Sequence, residues 1–152
     1  MDQSDSPEAH AADTQTAGAG TVDPEVAAMV TRVAREHILD LTDLGTPFDR
    51  DEMGNYVMSR EAAHSAARVV RVKGDRAGAQ IMETLVAAVR AAPSVQVLEN
   101  TQAVRLEVEG DTVTGVWIAR ADAPSDPVLI TCPGVLLAGG GSGGLYAHTT
   151  NP

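Results

Sequence analysis

Residues Ala103–Arg120, AVRLEVEGDTVTGVWIAR, decide how the rest of the chain is read. Val104, Leu106 and Val108 alternate with charged or polar neighbours, which is the period of a strand with one face buried. Gly110 and Asp111 then interrupt the pattern, and a second apolar run begins at Val113, so the stretch predicts a β-hairpin. Outward from it, VQVLEN (Val95–Asn100) reads as a preceding strand and PVLITCPGVLLAGGG (Pro127–Gly141) as two further ones, giving at least four strands between Val95 and Ala138. Val135, Leu136 and Leu137 are apolar in succession, the pattern of a strand buried on both faces in a parallel sheet. A ligand in such a sheet sits beyond the carboxyl ends of the strands. Ala138, Gly139, Gly140 and Gly141 stand at that end, where missing side chains let backbone approach a bulky or phosphorylated ligand.

The first two thirds of the chain are helical in period. Asp23 suits an N-cap, Pro24 the first helical position and Gly45 the stop, with Val26, Met29, Val30, Val33, Ile38, Leu41 and Leu44 at nearly helical spacing. This predicts a helix over 24–44. EAHAADTQTAGAG (Glu8–Gly20) can hold one short helix before its glycines end it, while residues 1–9 read as flexible. TPFDRDEMGNYVMSREAAHSAA (Thr46–Ala67) has turn chemistry at Asp51–Asn55 and few apolar residues, so it reads as an exposed excursion. A short strand at Val69–Val72, a Gly-Asp turn and a helix over 77–91 follow, with Ile81, Leu85, Val86 and Val89 inward and Pro93 beyond the end. A helix leading from Val69 into VQVLEN would be a β-α-β crossover. The fold class expected is α/β or mixed α+β, with helices and a β-meander.

Composition narrows the function. The 152 residues, 43% of them hydrophobic, suffice for one domain with a sizeable core, and 21 acidic against 11 basic side chains give a net charge of −10, which repels a phosphate backbone. No nucleic acid is expected as partner. The lone Cys132 excludes an internal disulfide framework and reads as a small buried hydrophobe, which suits a reducing compartment, with the cytoplasm as the default. No apolar run approaches the roughly 20 residues that span a bilayer, and MDQSDSPEAH is not a signal peptide, so no membrane is expected. His10, His37, His64 and His148 show no metal-ligand spacing, so no metal is expected. Trp117 on the meander reads as core filler, and Arg60, Arg68 and Arg71 as a solvated basic face.

Several motifs, in order and without gaps, resemble one family. VLLAGGGSGGLYAHTTNP (Val135–Pro152) is similar to the FAD-dependent L-aspartate oxidases, within the succinate dehydrogenase and fumarate reductase flavoproteins, where Ala-Thr-Gly-Gly, a tyrosine and Thr-Thr-Asn-Pro follow a strand. Tyr146, Thr149, Thr150, Asn151 and Pro152 fall in register. SREAAHS (Ser59–Ser65) resembles the family's Arg-Glu-Gly-Gly-His-Ser, GDRAG (Gly74–Gly78) its Asp-Ala-Thr-Gly, and HAADTQTAGAG (His10–Gly20) its His-x-x-Asp-Thr followed by Ala-Gly-Ala-Gly. Gly139 and Ala77 stand where the family has threonine, and Ala62 and Ala63 where it has glycine.

The resemblance implies FAD as cofactor, bound in part by Val104, Ala138, Gly139 and Gly140, and L-aspartate, with fumarate as a second small-molecule substrate. It implies that Glu61 orients the substrate's amino group and that His64 lies at the flavin edge. It further implies a place in NAD (quinolinate) biosynthesis, with quinolinate synthase as partner. The family's dinucleotide-binding unit would precede Asp5 and its C-terminal half would follow Pro152, so the expectation is an internal, incomplete FAD-binding domain, inactive in isolation. The alternatives are a piece of a succinate dehydrogenase or fumarate reductase flavoprotein, which SREAAHS argues against, and a non-enzymatic acidic α/β binding module.

Overall fold

The computed structural model describes residues 5–148, so the expectations at Thr149, Thr150, Asn151 and Pro152 lie outside the described residues. The chain forms two compact units, Met1–Gln96 and Val97–Pro152. Helices and antiparallel strands are mixed, as the sequence indicates.

In the first unit, α1 (Pro7–Ala17) begins inside the stretch expected to be flexible. Ser6 explains this: its Oγ accepts the Ala9 N–H at 3.1 Å, and Pro7 supplies a pre-set first helical residue. Helix α2 (Pro24–Asp43) starts as expected, with Asp23 Oδ1 accepting from the N–H groups of Glu25 and Val26 at 2.8 and 3.2 Å, a cap worth about 1 kcal/mol. It stops at Gly45, whose φ of +102° lets Thr46 N–H reach back to the Leu41 carbonyl and Gly45 N–H to that of Thr42. The seam between α1 and α2 departs from the apolar stripe read in the sequence: Ala11, Ala27 and Thr31 are buried, while Val26, Met29, Val30 and Leu44 are about half exposed. Small side chains make this seam because they let the two helix backbones approach, and Thr31 satisfies its hydroxyl on the Ala27 carbonyl at 2.9 Å.

The excursion after α2 is less exposed than expected. Phe48 is buried and packs edge-on against Tyr56, with ring centroids 6.0 Å apart, and Tyr56 bonds Thr42 of α2 at 2.6 Å. A single aromatic side chain can bury as much surface as a run of aliphatic ones, which is why a count of apolar residues missed it. Asp51 shapes the turn between them, accepting from Met53 and Asn55 N–H at 2.9 and 2.8 Å. β1 (Met58–Ser59) pairs antiparallel with β2 (Val69–Val70), and Val72, wholly buried, closes this unit's core. Helix α3 (Ala77–Ala91) has the expected bounds, but Val86 and Val89 are about 40% exposed.

The second unit is a three-stranded antiparallel meander, β3 (Thr101–Glu109), β4 (Thr112–Arg120) and β5 (Ala123–Thr131), in the order β3-β4-β5. The hairpin at Gly110-Asp111 forms where expected, with Gly110 at φ +61°, the left-handed conformation a primed turn requires at its first central residue. Pro124 and Pro127 lie in β5, an edge strand, where a missing N–H costs least. Three strands form where at least four were expected. Val95–Asn100 is not a strand, and Val135–Leu137 is irregular, with Leu136 91% and Leu137 74% exposed. The β-α-β crossover is likewise overturned, since β2 finds its partner in β1 rather than across α3. A strand takes its hydrogen bonds from another segment, and neither apolar run has such a partner among the described residues.

Candidate functional site

The SREAAHS loop closes as a turn in which His64 N–H donates to the Glu61 carbonyl at 3.0 Å. Ala62 and Ala63 occupy it without a left-handed φ, so the family's glycines are not needed for this turn. The Glu61 carboxylate stays exposed and accepts from Ser59 Oγ at 3.1 Å, and Arg60 Nε donates to the His64 carbonyl at 2.9 Å. An exposed carboxylate on a closed turn can meet an incoming cation without first breaking an ion pair.

Behind the turn stands a cluster that the sequence reading missed. Arg68, expected on a solvated face, has a buried side chain whose Nε and Nη2 fork onto Asp5 at 3.0 and 2.7 Å and whose Nη1 meets Asp13 of α1 at 2.5 Å. Asp13 Oδ2 also accepts from the N–H and Oγ of Ser65, each at 2.7 Å. Thus HAADT and SREAAHS, separate motifs in the sequence, are bound to one another. Asp13 lies within HAADTQTAGAG, and that stretch's resemblance to the family's His-x-x-Asp-Thr was the one signal the sequence offered. The ring centroids of His10 and His64 lie 5.2 Å apart, with the two planes tilted by 60°.

Electrostatics follow from these contacts. The Ser65 amide, then Arg68, hold the Asp13 carboxyl far below the usual carboxylate range, and Arg68 holds Asp5 below it as well. Its two carboxylates raise Arg68 further. Burial, reinforced by the positive charge of Arg68 and opposed by Asp5 and Asp13, lowers His10 from 6.5. The folded state therefore binds fewer protons than the unfolded chain at all three acidic or imidazole groups, so stability present at higher pH is lost on acidification. The His10 contribution falls as pH drops below 6.5, and those of Asp5 and Asp13 as it drops below 3.8. Urea unfolding of the chain is expected to show lower stability at about pH 5 than at about pH 8, and lower again near pH 3. Equal stability across that range would refute the cluster's role.

A cleft of about 570 Å³ lies between α1, α2 and the β1/β2 pair, lined by His10, Arg32, Arg35, Arg50, Tyr56 and Met58 among others. Arg50 lies over the Tyr56 ring at 4.3 Å and donates to the Gly54 carbonyl at 2.7 Å. Neither Glu61 nor His64 lines it.

In the second unit, Val104 is the extra residue of a β-bulge: Ala103 faces Ile118 and Arg105 faces Trp117, leaving Val104 without a partner and half exposed. Bulges re-aim a side chain out of the regular pleat. Trp117 does not fill a core as expected; its Nε1 donates to Glu107 at 2.5 Å and Arg105 lies 5.0 Å over its ring. Cys132 is half-buried, its N–H given to the Thr114 carbonyl. Ala138, Gly139 and Gly140 lie on exposed backbone, Gly140 at φ +75°, and a Cβ built at Gly139, Gly140 or Gly141 would meet nothing within 4 Å. The backbone there is open to the close approach of a flat or phosphorylated group, which is what a dinucleotide cofactor needs. Among the described residues no group of histidine, cysteine, aspartate or glutamate is arranged to hold a metal, and no helix is long and apolar enough to cross a membrane.

The chain is similar to curated proteins. The L-aspartate oxidase of Caulobacter vibrioides is 51% identical over 149 residues, covering 97% of this chain and 29% of the relative. That of Mycobacterium tuberculosis strain H37Rv is 36% identical over 151 residues, covering 99% and 28%. The chain thus spans less than a third of the length of these relatives. Among solved structures, Mycobacterium smegmatis Sdh1 in complex with UQ1 superposes with a TM-score of 0.86 at 24% identity, covering 100% of this chain and 27% of its own. The FrdA subunit of E. coli quinol fumarate reductase, in a mutant form, superposes at 0.88 and 22% identity, covering 100% and 26%. At those identities the likeness establishes the fold alone. The model of the FAD binding domain, however, matches residues 1–152, from one end to the other, and the chain belongs to the FAD binding domain family.

Proposed function

We propose that this chain is part of the FAD-binding domain of an L-aspartate oxidase, with residues 1–152 contributing one wall of the site. The observation that carries the reading is the 51% identity to the Caulobacter vibrioides enzyme over nearly the whole chain. Bound FAD would supply the acceptor for the Cα hydride of L-aspartate, and the amino nitrogen would give up its protons to leave iminoaspartate. Val104, Ala138, Gly139 and Gly140 would hold the cofactor, the glycines by backbone contact and Val104 by the side chain that its bulge turns out. Glu61 binds and orients: a carboxylate opposite the substrate ammonium forms a charge-assisted pair and fixes the direction of the Cα–H. His64 stands on the same turn and is the residue assigned to contact the flavin edge. The product has its consumer in quinolinate synthase, in NAD biosynthesis, and the cytoplasm is the compartment that suits a chain whose one cysteine is unpaired.

Succinate or fumarate is the second reading, favoured by the fold likeness to Sdh1 and FrdA. Those dicarboxylates bring no ammonium for Glu61 to pair, so the first reading is preferred.

A chimera tests it: residues 1–152 replacing the matching segment of the Caulobacter vibrioides enzyme should retain FAD and oxidise L-aspartate. A chimera that folds and holds FAD but oxidises only succinate would overturn the reading. Expressed alone, the chain is expected to retain no stoichiometric FAD, because its glycines lie on irregular exposed backbone and, among the described residues of that unit, no α-helix supplies an N-terminus, only the three-residue 3-10 turn Gly143–Leu145. The visible absorbance of the protein after gel filtration reads this directly, and a yellow eluate would contradict it.

A further inference from the structure

We propose that Arg68 is a positioning residue: it pins the Arg60–Ser65 turn to α1 and sets His64 as the tautomer that carries its proton on Nε2. The role of the turn rests on the L-aspartate oxidase reading; the tautomer rests on geometry alone.

Arg68 gathers three separate pieces of chain. Asp5 lies 63 residues away, Asp13 lies 55 away, and His64 is four positions back in the turn itself. Its side chain is 7% exposed, and those of Asp5 and Asp13 are 16% and 20% exposed, so these contacts are shielded from competing water. The fork onto Asp5 fixes the guanidinium plane, and the fixed plane aims Nη1 at both Asp13 Oδ2 and His64 Nδ1, the latter at 2.9 Å. Asp13 returns to the turn through the Ser65 amide and hydroxyl. Because Arg60 bonds the His64 carbonyl and His64 N–H bonds the Glu61 carbonyl, whatever holds His64 and Ser65 also holds the backbone that carries Glu61.

The tautomer follows from donor counting. A guanidinium has five N–H donors and no acceptor, so a hydrogen bond between Nη1 and His64 Nδ1 requires the lone pair on Nδ1. A neutral imidazole with that lone pair carries its proton on Nε2. Arg68 takes Nδ1, which leaves the Nε2–H as the donor His64 can offer to another group.

Ring-nitrogen NMR of the full chain tests this without any activity measurement. The wild-type protein should show a protonated Nε2 and an unprotonated Nδ1 at His64. Arg68→Met, which keeps the stem and removes the donors, should move both nitrogens toward a mixture of tautomers and raise exchange of the Ser65 amide at least about tenfold. Arg68→Lys, which donates but cannot fork, should restore the tautomer more fully than the exchange protection. A wild-type His64 protonated on Nδ1, or nitrogen shifts unchanged in a folded Arg68→Met variant, would overturn the proposal. Should Arg68→Met fail to fold, Asp13→Ala serves: backbone exchange across residues 60–65 is expected to rise, and exchange unchanged there would overturn the pinning. Failure of the L-aspartate oxidase reading would leave all of these signals in place, so the two failures are distinguishable.

Discussion

Glu61→Gln, made in the chimera or in a full-length enzyme containing this segment, is expected to lower kcat/KM for L-aspartate by about 10- to 150-fold while leaving FAD content unchanged. The carboxylate is exposed on a turn closed by the bond from His64 to the Glu61 carbonyl, and it meets no cation within the described residues of that turn. Glutamine preserves the size and the Ser59 contact but removes the charge, so the loss reads the ammonium pair itself. A hydrogen bond to a charged group is worth about 1.5 to 3 kcal/mol, and its loss appears in full only when the contact persists into the transition state. Fumarate carries no ammonium, so its reduction should suffer less. Equal losses with both substrates would mean that the turn, rather than the charge, had been disturbed, and no loss with aspartate would remove Glu61 from the site.

Phe48→Ala is expected to cost the first unit about 3 to 5 kcal/mol, which lowers its urea midpoint by roughly 2 M. The ring is buried against Tyr56, and the cavity left behind is bordered by a backbone that cannot collapse freely: Asp49 N–H is held by the Arg71 carbonyl and Val57 N–H by that of Asp49. Tyr56→Phe is the control. It keeps the aromatic pair and loses only the bond to Thr42, so it should cost about 1 kcal/mol. A Phe48→Ala effect no larger than that of Tyr56→Phe would show that Phe48 is not a core residue.

The two substitutions separate the levels at which the protein is built. Glu61 is visible in a motif, and its loss should touch chemistry and spare the fold. Phe48 lies in a segment with too few apolar residues to announce a core, and its loss should unfold the unit that presents the motif.

By itself, the sequence determined what short-range contacts can build. Asp23, Pro24 and Gly45 bound α2, because a helix end is satisfied by groups within a few residues of it. Gly110-Asp111 placed the β3/β4 hairpin for the same reason, and the ordered motifs carried the family. Only the tertiary structure decided whether Val95–Leu98 and Val135–Leu137 are strands, since an apolar run lacks the partner backbone that makes a strand. It alone buried Ala27 and Thr31 in place of the larger α2 side chains, because backbone approach, not hydropathy, chose the seam. It alone turned Arg68 from one of several surface arginines into the link between Asp5, Asp13 and His64, because a charge is buried only where distant carboxylates converge to meet it, and that convergence belongs to the folded chain.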